Sequence, residues 1–302
     1  MAKKVTVEEE STQQEPKPDV PVETQDPPRR EVTQDPPRRE VAEREEERPG
    51  FSVPRDMVLI PSLGKLYPPS HPLHNQENIE VRHLTAADED ILTSRALLRS
   101  GKALDHLLQS CIMDKSISVG DLISGDKNSI MTFLRISGYG PEYDVKIDCP
   151  SCEEEVQHTF DLSQLSVRTL DLTPEDQNNP VFTLELPSGV VVDFKFLNSA
   201  EEAEIAEILE TTKRKTNSPL ERNITTKYSR QILAVNGDTN QATISSFIKS
   251  MSVRDSRAFR KFLIDNEPDV IMKQDFICPM CSHKEEVDIP IGVGFFWPEW
   301  KP

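Results

Sequence analysis

The phrase "IDCPSCEEEV" at Ile147–Val156 returns, slightly altered, as "FICPMCSHKEEV" at Phe276–Val287. In a CPxC knuckle the chain turns tightly between two strands. Both sulfurs then aim at one point, and backbone N–H groups can donate to the thiolates. Two knuckles supply four sulfurs, the tetrahedral set that structural Zn²⁺ takes. Cys149, Cys152, Cys278 and Cys281 are therefore the candidate ligands of one structural zinc per chain. A Cys₄ shell has no open position, so the ion would hold structure and not catalyse. The constraint on folding is severe: the C-terminal segment must return to the middle of the chain.

Each pair has a similar context. Val145 and Ile147 precede the first, and Phe276 and Ile277 precede the second. Glu154-Glu155-Val156 follows one and Glu285-Glu286-Val287 the other. Both read as strand–knuckle–strand units, together a zinc-ribbon-like site. Between Cys152 and Cys278 lie 125 residues, against about 15–20 between the halves of a usual ribbon. A hairpin and a helical bundle, residues 181–270, must then be inserted between the halves. Other readings stay open. A redox CxxC would want an exposed, low-pKa cysteine at a helix start, whereas these pairs sit between strands. Reduced, unmetalled thiols are a second alternative, and an Fe–S cluster is a third. His283 lies just outside the second knuckle and reads as a surface residue. Cys111 falls on an apolar helix face and reads as core.

Composition narrows the setting. Four of the five cysteines lie in the two pairs, which favours metal over disulfides in a reducing cytosol. The start, "MAKKVTVEEE", lacks the apolar core of a secretion signal, and no apolar run reaches the ~18 residues of a membrane span. The 302 residues carry a formal net charge of −17. Phosphate binding needs clustered Lys and Arg, so this balance argues against nucleic acid as a partner.

Residues 1–50 have no aromatic residue, and they repeat "TQDPPRREV" in tandem at Thr24–Val32 and Thr33–Val41. They read as a disordered Pro- and charge-rich tail, a spacer or a tether. Residues 51–302 read as one α+β domain, a mainly helical body with small β-hairpins. Val53–Leu73 should be extended and turned, and Asn78–Leu84 a strand. Thr85 should cap one helix running to Gly101. Ala103–Lys115 should form a second helix. A third should be capped near Asp126 and end at Gly138 or Gly140. "VFTLELPSGVVVDFKFL" reads as a hairpin. Helices are expected at about 199–215, 220–235, 241–250 and 252–266, with Ser199 and Ser252 as N-caps.

No catalytic constellation stands out. There is no Gly-rich phosphate loop and no HExxH, and "GVGFF" at 292–296 lacks a following helix. Asp88, Glu89 and Asp90 read as first-turn charges that favour the helix dipole. The six histidines, at 71, 74, 83, 106, 158 and 283, have no regular ligand spacing.

Four segments together carry a resemblance. They are P-S-x-G-x-x-Y (Pro61, Ser62, Gly64, Tyr67), the block Leu84–Thr93, the helix Gly101–Cys111, and R-I-x-G-Y-G-P-E-Y (Arg135–Tyr143) leading into the first CPxC. This pattern resembles the T4-like bacteriophage baseplate hub family over about residues 55–290. The duplicated tail is not part of that likeness. The resemblance implies a component of a contractile-tail baseplate, or a factor that assembles its central hub. It implies no enzymatic activity and no small-molecule substrate. The partners would be other baseplate or hub proteins, in the virion or in the host cytoplasm during assembly. Tyr139, Tyr143, Phe295, Phe296, Trp297 and Trp300 are candidate contact residues, since aromatics are favoured at interface hot spots; packing against the knuckle hairpins is their other reading. The competing function is a zinc-ribbon nucleic-acid-binding or regulatory protein, which the glutamates after each knuckle disfavour.

Overall fold

A computed structural model of the chain describes residues 52–174, 180–216, 223–289 and 295–296. The repeat-bearing segment read as a tail lies outside the described residues. The fold is α+β: eight α-helices and small sheets among the described residues, four of the sheets two-stranded and one three-stranded.

β1 (Arg55–Leu59) and β2 (Asn78–Arg82) pair antiparallel. The Pro-bounded loop between them carries the P-S-x-G-x-x-Y segment and wraps the first turn of a helix, α4 (Ser124–Tyr139). The Asp126 carboxylate accepts from the Ser62 N–H at 2.8 Å, the Ser62 hydroxyl at 2.6 Å and the Tyr67 hydroxyl at 2.6 Å. The Tyr67 oxygen in turn accepts from the Ile123 N–H. Asp126 therefore does not cap the helix as the sequence suggested. Its side chain is fully buried and ties the loop to α4. Burial raises its carboxyl above the ordinary range, and the bonds from Ser62 and Tyr67 work against that rise. Gly64 makes the loop possible. Its φ is +69°, and a Cβ there would lie 2.3 Å from the Leu73 carbonyl oxygen.

The helix expected over 85–101 is two helices, α1 (Ala86–Thr93) and α2 (Arg95–Arg99). Ser94 between them is extended, at φ −65° and ψ 109°. The Thr93 hydroxyl donates back to the Glu89 carbonyl, a local bond that competes with helix continuation. Asp88 does more than favour a dipole. It is buried, takes a bidentate bond from Arg82 at 2.6 and 2.8 Å, and accepts from Thr85 and Ser110. Burial alone would raise its carboxyl, but Arg82 and Thr85 hold it well below the usual range. α3 (Ala103–Cys111) stops short of Lys115, because Ile112 bridges to Val81 and the Met113 N–H donates to Glu80. Leu107, Leu108, Cys111 and Ile112 are buried, and Cys111 is core as read. "VGDLISGD" gives a 3-10 turn at Val119–Asp121 and then the first turn of α4 from Ser124.

After α4 come β3 (Glu142–Asp148) and β4 (Glu155–Asp161), then a short β5 (Ser166–Arg168). The hairpin β6 (Phe182–Glu185) and β7 (Val191–Phe194) follows. α5 (Ser199–Thr216) is capped by Asn198, not Ser199: the Asn198 side chain accepts from the Glu201 N–H, and the Glu201 carboxylate accepts from the Asn198 N–H. The helix expected at 220–235 is α6 (Asn223–Gln231), which gives way to strand β8 (Ile232–Val235) on the free edge of β7. The apolar run "ILAV" completes that sheet. α7 (Gln241–Ser250) and α8 (Val253–Asn266) close the inserted part, and Ser252 caps α8 as read. Phe182, Phe194, Phe196, Phe259 and Tyr228 pack edge-on beneath this sheet, in one core continuous with Leu107, Leu108, Ile130 and Leu134.

The chain then returns. β9 (Asp269–Ile271) pairs with β5, and β10 (Lys273–Ile277) with β11 (Lys284–Asp288). The return is tight. A Cβ on Gly125 would lie 1.9 Å from the Pro268 carbonyl oxygen, and Asn128 donates to Asp269 at 2.9 Å.

Gly64→Ala should lower unfolding stability by about 2–4 kcal/mol, read as a lower urea midpoint with an unchanged slope. An unchanged midpoint would show that the loop does not need its left-handed residue.

Candidate metal centre

The two knuckles are one local structure built twice. In the first, between β3 and β4, the Cys149 N–H donates to the Glu154 carbonyl at 3.0 Å and the Glu153 N–H to the Cys149 carbonyl at 2.9 Å. In the second, between β10 and β11, Cys278 donates to His283 at 2.9 Å and Ser282 to Cys278 at 2.9 Å. The offsets match. In each, the fourth residue after the first cysteine turns left-handed, Glu153 at φ +59° and Ser282 at +61°. Each first cysteine is buried. Of the second cysteines, Cys152 is half-buried and Cys281 exposed.

The Glu-Glu-Val phrases are not structurally equivalent. Val156 lies opposite Ile147, two residues before its knuckle, whereas Val287 lies opposite Gln274, four residues before. A shift of two keeps a side chain on the same face of a strand. Val156 and Val287 therefore both reach one small apolar cluster with Phe276, Ile147 and the cysteines. His158 packs edge-on against Phe160 and Phe276 beside it, so it is a packing residue.

The four sulfurs lie within 4.8 Å of one another. Across the knuckles, Cys149 and Cys281 Sγ are 3.7 Å apart, and Cys152 and Cys278 Sγ are 3.8 Å apart. A tetrahedral ion with Zn–S bonds of about 2.3 Å requires S···S edges of about 3.8 Å. The donor set therefore fits a closed Cys₄ zinc site, and both separations are far beyond a disulfide's ~2.05 Å. Among the described residues, this is the one group of three or more His, Cys, Asp and Glu side chains so placed. His283 stands apart from it, paired with Glu285 at 3.0 Å.

The electrostatics point the same way. Burial opposes the Cys149 thiolate, yet the N–H groups of Cys152 and Ser151 aim at its sulfur and lower its pKa to about 6. Cys152 receives the Glu154 N–H, but burial and three neighbouring sulfurs push it up to about 12. One thiolate forms readily and the next is resisted. A dication held by the four sulfurs would remove that conflict by favouring the thiolate form.

Of the aromatic candidates, Tyr143, Phe295 and Phe296 are buried. Arg135 is buried, donates to the Gly140 and Glu142 carbonyls at 2.7 and 2.8 Å, and lies 5.6 and 5.7 Å from the Tyr139 and Tyr143 ring centres. Tyr143 packs edge-on against Phe295, and Phe295 against Phe296, all three buried. Their rings serve the core, because a guanidinium held only by carbonyls gains from aromatic faces. Tyr139 is half-buried. Trp297 and Trp300 lie outside the described residues.

The fold and site define an α+β protein whose C-terminal hairpin meets its middle at four thiols. A family model described as T4 bacteriophage base plate protein matches residues 61–297. The match covers most of the chain, and the chain belongs to that family. Neither the curated proteins nor the solved structures compared with it gave a match. No helix among the described residues is long and apolar enough to cross a membrane.

Cys149→Ser and Cys281→Ser should each take bound zinc, measured by elemental analysis, from about one ion per chain to a small fraction of that, and lower the melting temperature. Variants that keep both metal and stability would refute the site.

Proposed function

We propose that this chain is a non-enzymatic structural or assembly component of the central hub of a contractile-tail baseplate, held together by one structural zinc. The observation that carries the reading is family membership over residues 61–297, joined to a site whose four donors leave no coordination position for a substrate. The motif residues that mark the family do structural work. Ser62 and Tyr67 hold Asp126, Gly64 permits the turn, and Arg135 braces the loop into β3. Such internal bracing suits a part that docks rigidly onto neighbours. The neighbours would be other baseplate proteins, met in the host cytoplasm during assembly and in the finished tail. Tyr139 keeps ring surface to offer them.

A mass-spectrometric inventory of purified particles tests this. We expect the chain at fixed copy number if it is a permanent part. An assembly factor would instead be missing from particles, and its loss would leave tails without baseplates. Normal particles formed without the gene product would overturn both forms of the proposal.

A further inference from the structure

Two faces of this chain carry opposite charge that is only partly neutralised within the described residues. The first is on α8. Its buried side is Asp255, Phe259 and Leu263; Arg254, Arg257 and Arg260 are exposed on the other side. Among the described residues none of the three arginines has an ion-pair partner, whereas Lys261 has Asp265 at 2.7 Å. Val253 and Ile264, at 76% and 59% exposure, flank them. Three arginines without an ion pair on one helix, of which Arg254 alone feels the Asp255 carboxylate, stand out in a chain of net charge −17.

The second face is the outer side of the β3–β4 hairpin. Its inner side holds Tyr143, Val156 and Phe160. On the outer side Glu142 lies directly opposite Asp161, and Asp148 directly opposite Glu155. Like charges at such positions destabilise a hairpin. Among the described residues Lys146 pairs with Glu155, and Ser163 and Gln164 donate to the Asp161 carboxylate. Asp144 adds a further carboxylate, accepting from Thr159.

We propose that the arginine face of α8 docks on the acidic outer face of β3–β4 in a second copy of this chain. The dimensions are compatible: Val253 to Ile264 spans about 17 Å of helix, and the seven residues of β3 about 20 Å of strand. Both faces are present on every copy and share no residue, so the contact either closes reciprocally into a two-fold dimer or runs head-to-tail into a ring or a filament. Opposed patches act within a Debye length of about 8 Å at physiological salt, where the like net charges of two copies are largely screened. The same arginines could meet nucleic-acid phosphate; carboxylates are favoured because the matching acidic face is on the molecule itself. The proposal does not rest on the baseplate reading or on the metal.

Sedimentation velocity over a concentration series of the full chain tests it, with Arg257→Glu/Arg260→Glu and Asp144→Lys/Asp148→Lys as the two charge-reversed variants. The substituted side chains are exposed, and the melting curve and zinc content of each variant check that its fold is kept. We expect the parent to associate, and each variant alone to associate roughly tenfold or more weakly. A mixture of the two should regain association, since each reversed face meets an opposite one. A parent that stays monomeric at every concentration overturns the proposal. So does a variant that associates as well as the parent, or a mixture that regains nothing. Binding of the parent to duplex DNA at physiological salt, lost in the arginine variant, would assign the face to nucleic acid and equally overturn it.

Discussion

Four sulfurs from two hairpins far apart in sequence must stand about one tetrahedral edge from each other. The rest of the structure is arranged around that demand. A two-stranded hairpin is marginal by itself in water, and the apolar cluster between these hairpins has only Val156 and Phe276 as fully buried non-cysteine members. Beside it, His158 packs on Phe276 and Gln274 bonds to Asp161, a small contact to hold β10–β11 against β3–β4. The proposed zinc supplies the missing cohesion, and its effect grows with the length of chain it closes.

The junction is not made by sulfur alone. β5 pairs with β9, and the Gln274 side chain bonds both to and from the backbone of Asp161. Asn128 and Gly125 fix the return of the chain against the start of α4. The same helix is fixed at its first turn by the P-S-x-G-x-x-Y loop through Asp126, and at its end by Arg135. α4 is therefore the post to which the N-terminal loop, the knuckle hairpins and the returning strand are all tied. Segments that carried the resemblance in the sequence are among those that tie it.

Much of this was legible in the residues. The cysteine pairs, their flanking strands and the mixed α+β character follow from turn chemistry and local pattern, which short-range physics controls. The break at Ser94 and the cap at Asn198 are local matters; the other misreadings come from long-range contacts. β8 read as helix because "ILAV" has no local signal beyond apolarity, and only the edge of β7 makes it a strand. β5 and β9 are three residues each and exist through one another. Asp126 looked like a cap because its partners, Ser62 and Tyr67, are about sixty residues away. The burial of Tyr143 was not legible because nothing local shows that Arg135 turns inward beside it.

The account stands or falls on the metal shell joining the two halves. Zinc K-edge X-ray absorption on the full chain, purified without chelator, addresses it directly. The account expects one zinc per chain with four sulfur neighbours at about 2.3 Å. Nitrogen or oxygen in the first shell, or a stable folded chain carrying no metal, would contradict it.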